Sequence, residues 1–134
     1  MSERGEIRNR DFAKQLRDFR GMRLGNITPT DIDVFFEYKD MLFIITELKH
    51  CEEGTLEIKK DGQYLAFTRC IDTLEKGGKK AYLIYCSHLF ESADDIQTHE
   101  CKVEWIYTGK RLFRPLSKWT AKTFQDEVVR RLTL

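Results

Sequence analysis

The chain has 134 residues, a formal net charge of +1 and 41% hydrophobic residues, which is about the size of one domain with its own hydrophobic core. Such an even charge balance excludes a protein that coats nucleic acid with its whole surface, so any nucleic-acid contact is expected from a local patch. The sequence has neither an apolar run of about 18 residues nor a secretory signal, which predicts a cytoplasmic protein with reduced thiols and no membrane span.

The first predicted elements are a helix and a β-hairpin. Phe and Leu at helical spacing predict a helix over Arg8–Arg20. Two runs rich in Ile, Phe and Val follow, and they predict strands over Thr30–Tyr38 and Met41–Lys49. Only Lys39 and Asp40 separate the two runs, which favours a tight hairpin, although this pair lacks the Gly that is common in such turns.

The rest of the chain predicts two more helices and two or three more strands. The run AYLIYC is continuously apolar, as in a strand buried on both faces. Val103, Trp105 and Tyr107 alternate with polar neighbours, as in a half-buried strand. In chain order, the elements are predicted over Leu56–Leu74 (helix), Ala81–Cys86, Cys101–Tyr107 and Arg111–Arg114 (strands), and Thr120–Arg131 (helix). This order predicts one α/β (α+β) domain over residues 1–134, with a mixed sheet between helices in three layers.

Four charged residues stand at the open end of the hairpin, in strands that otherwise have the composition of buried strands. Asp31 and Asp33 come early in the first strand, and Glu47 and Lys49 come late in the second. Carboxylates in a buried strand are costly unless they are paired or bind a metal. If the hairpin is centred on Asp40, residues whose numbers sum to 80 lie opposite one another. Asp33 then faces Glu47, and Asp31 faces Lys49.

Two carboxylates beside one ammonium suit the hydrolysis of a phosphodiester bond. Carboxylates are hard oxygen ligands for Mg²⁺, which can activate a water and stabilise charge on the phosphate. Lys49 can orient the attacking water or offset the developing negative charge. The alternative is structural: Asp31 and Asp33 form a cross-strand ladder of salt bridges with Lys49.

Asp33, followed 14 residues later by Glu47-Leu48-Lys49, resembles the motif of the PD-(D/E)XK nuclease superfamily. The preceding Thr-Pro-Thr-Asp-Ile-Asp resembles its small phage and prophage members, and the likeness covers about residues 8–88. The resemblance implies a restriction-endonuclease-like core in the order αββαββα. It also implies a metal-dependent deoxyribonuclease, an endonuclease, in which Asp33 and Glu47 hold Mg²⁺, or Mn²⁺ in its place, and Lys49 assists the attacking water.

The resemblance extends to three further positions. Gln63 matches a glutamine that family members often carry on the next helix, and its alternative role is that of a solvent-facing helix residue. Glu6 is the nearest candidate for a family metal ligand on the first helix. A literal Pro-Asp pair is absent, so either Asp31 or Asp33 is the principal ligand; otherwise Asp31 is a second ligand or the partner of Lys49.

The expected partner is DNA. A small domain with little positive field is expected to need a second copy or a partner protein to hold a duplex. The alternative is a catalytically inactive module of the same fold that binds nucleic acid or a protein. A locally basic segment either holds a DNA backbone or is a solvated surface. Its residues are Lys110, Arg111, Arg114, Lys118, Trp119 and Lys122.

Overall fold

The structure, a computed structural model, describes residues 20–91 and 95–133. The helix predicted over Arg8–Arg20 falls almost wholly outside these residues, and so does Glu6. No helix in the described ranges is long and apolar enough to cross a membrane.

By its contacts the chain divides into two compact units, Met1–Asp31 and Ile32–Leu134. The described part of the first unit contains a short 3₁₀ helix, Arg20–Met22. Leu24 and Ile27 then exchange two backbone hydrogen bonds of 2.8 and 2.9 Å around a tight turn. The prediction that residues 1–134 form one domain stays a prediction.

The second unit is built on a five-stranded sheet in which the strands lie in sequence order. Its strands are β1 (Val34–Tyr38), β2 (Leu42–His50), β3 (Lys80–His88), β4 (Lys102–Thr108) and β5 (Arg111–Phe113). Strands β2 and β3 are parallel, and every other neighbouring pair is antiparallel. A parallel pair needs a long crossover, and here the crossover contains helix α1 (Gly62–Lys76). The predicted mixed sheet is confirmed.

One helix covers each face of the sheet. Helix α1 packs on the face that carries Ile45, through Phe67 among others. Helix α2 (Ala121–Leu132) packs on the face that carries Ile84, through Phe124. Side chains alternate along a strand, so each buried strand supplies apolar groups to both faces. The described residues therefore form the helix–sheet–helix layers that the sequence predicts.

Helix α1 starts later than the sequence predicts. The sequence predicts a helix from Leu56, but α1 begins at Gly62, after Asp61, whose carboxylate accepts the Tyr64 N–H at 3.1 Å. The carbonyl of Leu56 accepts hydrogen bonds from the side chains of Trp105 (2.8 Å) and Arg114 (3.0 Å). These contacts hold residues 56–61 as a loop against the sheet.

Strand β4 departs from the predicted alternation because it contains a β-bulge. The sequence predicts Val103, Trp105 and Tyr107 on one face with polar neighbours on the other. The pairing with β3 shifts by one residue, and the extra residue in β4 is Glu104. Val103 therefore packs on the α2 side, whereas Trp105 and Tyr107 pack on the α1 side. Glu104, one of the polar neighbours in that pattern, is only 4% exposed.

Candidate functional site

The hairpin turn sets the register of the acidic residues. Lys39 and Asp40 both have positive φ, 50° and 59°, as in the type I′ turns that favour hairpins. Strand β1 pairs with β2 so that Val34 lies opposite Thr46, and the numbers of all paired residues sum to 80. The predicted register is confirmed, although the turn lacks Gly.

The first strand is shorter than predicted. It begins at Val34 and not at Thr30, so Asp31 and Asp33 precede it. Asp33 lies one residue before the strand begins. It is joined to β2 by hydrogen bonds that involve side chains, and not by bonds between backbone groups. Asp31 is the last residue of the first unit, so its role as a second metal ligand or as the partner of Lys49 stays a prediction.

Asp33 and Glu47 are joined by reciprocal bonds at the open end of the hairpin. The Asp33 backbone N–H donates to Glu47 Oε2 at 3.0 Å. The Leu48 backbone N–H donates to Asp33 Oδ2 at 2.9 Å. Glu47 is only 2% exposed. The two carboxylates are therefore held next to each other, as the register predicts, and each binds the backbone of the other's strand.

Lys49 lies two residues after Glu47 on the same face of β2, the face covered by α1. It lines a cavity of about 230 Å³ together with Gln63. Gln63 is the second residue of α1, because the helix starts at Gly62 and not at Leu56. The cavity is also lined by Leu56, Glu57, Ile58, Lys59, Asp61 and Tyr85. Gln63 and the lysine of the motif thus line the same cavity.

Tyr85 is a site residue that the sequence analysis missed. Its Cα pairs with that of Glu47 across the parallel strands β2 and β3, and its side chain is 4% exposed. Burial, and then the negative charge of Glu47, raise the pKa of Tyr85, so the phenol stays protonated at ordinary pH. The only sequence signal is a tyrosine inside the apolar run AYLIYC, and it becomes informative only once that run is aligned with β2.

A second buried carboxylate, Glu104, holds the loop that forms the wall of this cavity. Its oxygens accept the Gly54 N–H at 2.9 and 3.0 Å and the Ser87 hydroxyl at 2.9 Å. Ser87 is the Cα partner of Lys49. The β-bulge turns Glu104 toward the α1 face, and the sequence signal was a charged residue within an otherwise apolar strand.

Arg114, one of the basic residues considered for DNA binding, has structural contacts. Its guanidinium pairs with Glu104 at 3.3 Å and lies 4.3 Å from the centroid of the Trp105 ring. Trp119 likewise packs against the core through Phe124. These contacts pack Arg114 and Trp119 against the domain, and DNA binding by the basic segment stays a prediction.

Two carboxylates are the ligands that this site offers to a metal ion. Within residues 20–91 and 95–133, no group of three or more His, Cys, Asp or Glu side chains is arranged to hold a metal. Mg²⁺ in proteins is usually bound by one or two carboxylates, with waters and substrate phosphates completing its shell. The adjacent carboxylates of Asp33 and Glu47 fit that mode of binding.

A larger cavity, of about 580 Å³, lies at the other end of α1, where Arg69, Glu75 and Lys110 contribute to its lining. None of the candidate residues lines it. Its size alone does not make it the site, because it lacks the pairing of carboxylates with a motif lysine.

No family model matches the chain, and no curated protein or solved structure matches it. The likeness to PD-(D/E)XK nucleases therefore rests on the motif and geometry of this chain.

Proposed function

We propose that the protein is a metal-dependent nuclease that hydrolyses phosphodiester bonds in DNA, as an endonuclease. The observation that carries the proposal is the arrangement at the open end of the hairpin. Asp33 and Glu47 are joined by reciprocal hydrogen bonds of 3.0 and 2.9 Å, and Lys49 follows on the same face beside a cavity.

In this proposal Asp33 and Glu47 hold Mg²⁺, for which Mn²⁺ substitutes. Bound Mg²⁺ supplies charge stabilisation at the phosphate and a more acidic water. Lys49 orients the attacking water and offsets negative charge that develops on the phosphate. The Gln63 amide, on the same cavity, positions the water or a phosphate oxygen. Glu47 is 2% exposed, and low exposure to water strengthens these interactions between charges.

Cleavage of plasmid and branched DNA with Mg²⁺ or Mn²⁺ tests the proposal. Glu47→Gln and Lys49→Ala should each lower the rate by about 10²–10⁴-fold, the range for removal of an acid–base or charge-stabilising group. The matched controls are Glu100→Gln and Lys79→Ala, which alter the same residue types away from this cavity. Equal cleavage by all four variants and the wild type would contradict the assignment.

The near-neutral net charge supports a role for a second copy or a partner protein in holding a duplex. Light scattering of the protein with and without DNA measures the size of the active species. Full activity from a lone monomer would remove this part of the proposal.

A second candidate function is a catalytically inactive module that binds nucleic acid or a protein. One observation favours it: Asp33 Oδ2 and Glu47 Oε2 both accept backbone N–H groups, which closes the hairpin without a metal. Calorimetric titration with Mn²⁺ separates the two functions. Saturable binding that is lost in Glu47→Gln supports the nuclease, whereas DNA binding without saturable metal binding supports the module.

A further inference from the structure

The Tyr85 hydroxyl is a polar group in an almost fully buried side chain. The residue is 4% exposed, and its side chain lines the cavity that contains Lys49 and Gln63. Among residues 20–91 and 95–133, the side-chain polar atom that is both buried and without a hydrogen-bond partner is His88 Nδ1, not this hydroxyl. Because Tyr85 lines the cavity, its hydroxyl is a donor within reach of a ligand there.

Tyr107 packs on the same face but differs from Tyr85. It donates its hydroxyl to Asp72 at 2.9 Å, at the end of α1 away from Lys49. Tyr85 is instead next to the proposed metal ligands, because its Cα pairs with that of Glu47. Neighbouring strands lie about 4.8 Å apart, so this side chain and Glu47 stand side by side.

The chemistry of the cavity indicates what it binds. Its lining includes three residues with donor groups, Lys49, Gln63 and Tyr85, and Leu56 and Ile58 supply apolar wall. The lining also carries Lys59, Glu57 and Asp61, but the Asp61 carboxylate is engaged at the start of α1. Donors beside apolar groups suit a phosphate followed by a sugar or base.

The cavity is smaller than the sites that enclose whole drug-sized ligands. Those sites measure about 300–1,000 Å³, and this cavity measures about 230 Å³. It has room for a small group, such as one phosphate with part of its sugar.

We propose that the Tyr85 hydroxyl donates a hydrogen bond to a phosphate oxygen of a nucleic-acid strand, in a subsite that Lys49 and Gln63 complete. This inference rests on the proposed function for the choice of ligand. It adds Tyr85 as a substrate-binding residue on the strand next to the motif.

The test measures binding without catalysis. The dinucleotide dTpdT, which contains one phosphodiester, is titrated in EDTA into wild-type protein and into the Tyr85→Phe and Tyr107→Phe variants, and amide shifts are followed by NMR. Tyr85→Phe removes only the hydroxyl, and it should weaken dTpdT binding about tenfold, as expected for a lost hydrogen bond to a charged group. Tyr107→Phe should bind as the wild type does, and thermal melts confirm that both variants are folded.

Two further arms identify the ligand and separate the inference from the proposed function. Inorganic phosphate and thymidine should each bind more weakly than dTpdT, and binding of phosphate as tight as that of dTpdT would overturn the strand subsite. Unchanged dTpdT binding by Tyr85→Phe would overturn it as well, even if the wild type cleaves DNA. If the wild type does not cleave DNA but Tyr85→Phe loses dTpdT binding, the subsite stands and the nuclease assignment fails.

Discussion

The two faces of the sheet differ in what they carry. The face under α2 is mainly apolar, with Leu42, Ile44, Ile84 and Cys86 all at most 2% exposed and with Thr46 as a buried polar residue among them. The face under α1 starts in the same way but becomes polar toward the carboxyl ends of the parallel strands β2 and β3. Its polar groups there are Glu47, Lys49, Tyr85, Ser87 and, from β4, Glu104. The face under α2 therefore contributes mainly to stability, whereas the face under α1 has less apolar packing and carries the candidate site.

The position of the polar groups follows a general rule for open α/β sheets. Ligands in such sheets bind outside the carboxyl ends of the strands, where a loop leads away from the sheet and leaves room for a cavity. Here that loop is residues 51–61, and Glu104 holds it through Gly54. The polar face is thus stabilised by hydrogen bonds that the apolar face does not need.

The largest expected difference between the faces is in the free energy of unfolding. Phe124→Ala, under α2, should lower it by about 3–5 kcal/mol because it leaves a cavity in the core. Lys49→Ala, on the polar face, should change it by less than about 0.5 kcal/mol. Urea unfolding measures both values. Equal destabilisation by the two substitutions would break the comparison.

An intermediate effect is expected at Glu104. Glu104→Gln cannot satisfy all of its donors, since Gly54, Ser87 and Arg114 all donate to the carboxylate. We expect a loss of about 1–3 kcal/mol, together with faster hydrogen exchange at the Gly54 amide. The control is Glu100→Gln, whose carboxylate is exposed, and it should leave that amide unchanged. Unaltered exchange in Glu104→Gln would show that this carboxylate does not hold the loop.

A substitution at a helix cap is expected to change the free energy of unfolding by about 1 kcal/mol, which tests the comparison of the two faces at a smaller scale. Thr120 caps α2 through its bond with the Thr123 N–H, so Thr120→Ala should cost about 1 kcal/mol and leave dTpdT binding unchanged.

Asn caps a helix about as well as Asp, so Asp61→Asn should keep the stability of α1. It removes a negative charge from the cavity lining and should tighten dTpdT binding severalfold. Weaker binding by Asp61→Asn would contradict a phosphate ligand.

The smallest effect is a pH dependence on α2. Hydrogen bonds from Arg130 and Arg131 lower the pKa of Glu127 from 4.5 to about 2. The folded-state pKa is the lower one, so this carboxylate stabilises the fold above pH 4.5 and loses its contribution as the pH falls toward 2. The stability difference between wild type and Glu127→Gln should therefore shrink over that range. A difference that stays constant from pH 7 to 2 would contradict this coupling.

The amino-acid sequence by itself determined the strands of the hairpin and their register. Two apolar runs joined by a two-residue turn admit few pairings, so Asp33 was correctly predicted beside Glu47. It also predicted the mixed sheet and the final helix, which begins at Ala121 after its cap at Thr120. These features depend on neighbours in the chain, and local pattern is enough to find them.

The tertiary structure alone decided the start of α1, the bulge in β4 and the burial of Glu104. The Leu56 carbonyl is held by Trp105, 49 residues away, and the Gly54 N–H by Glu104, 50 residues away. Tyr85 joins the site only because β3 returns parallel to β2 with this residue next to Glu47. Such contacts form between segments distant in sequence, so no local pattern specifies them, and they shape the cavity beside Lys49.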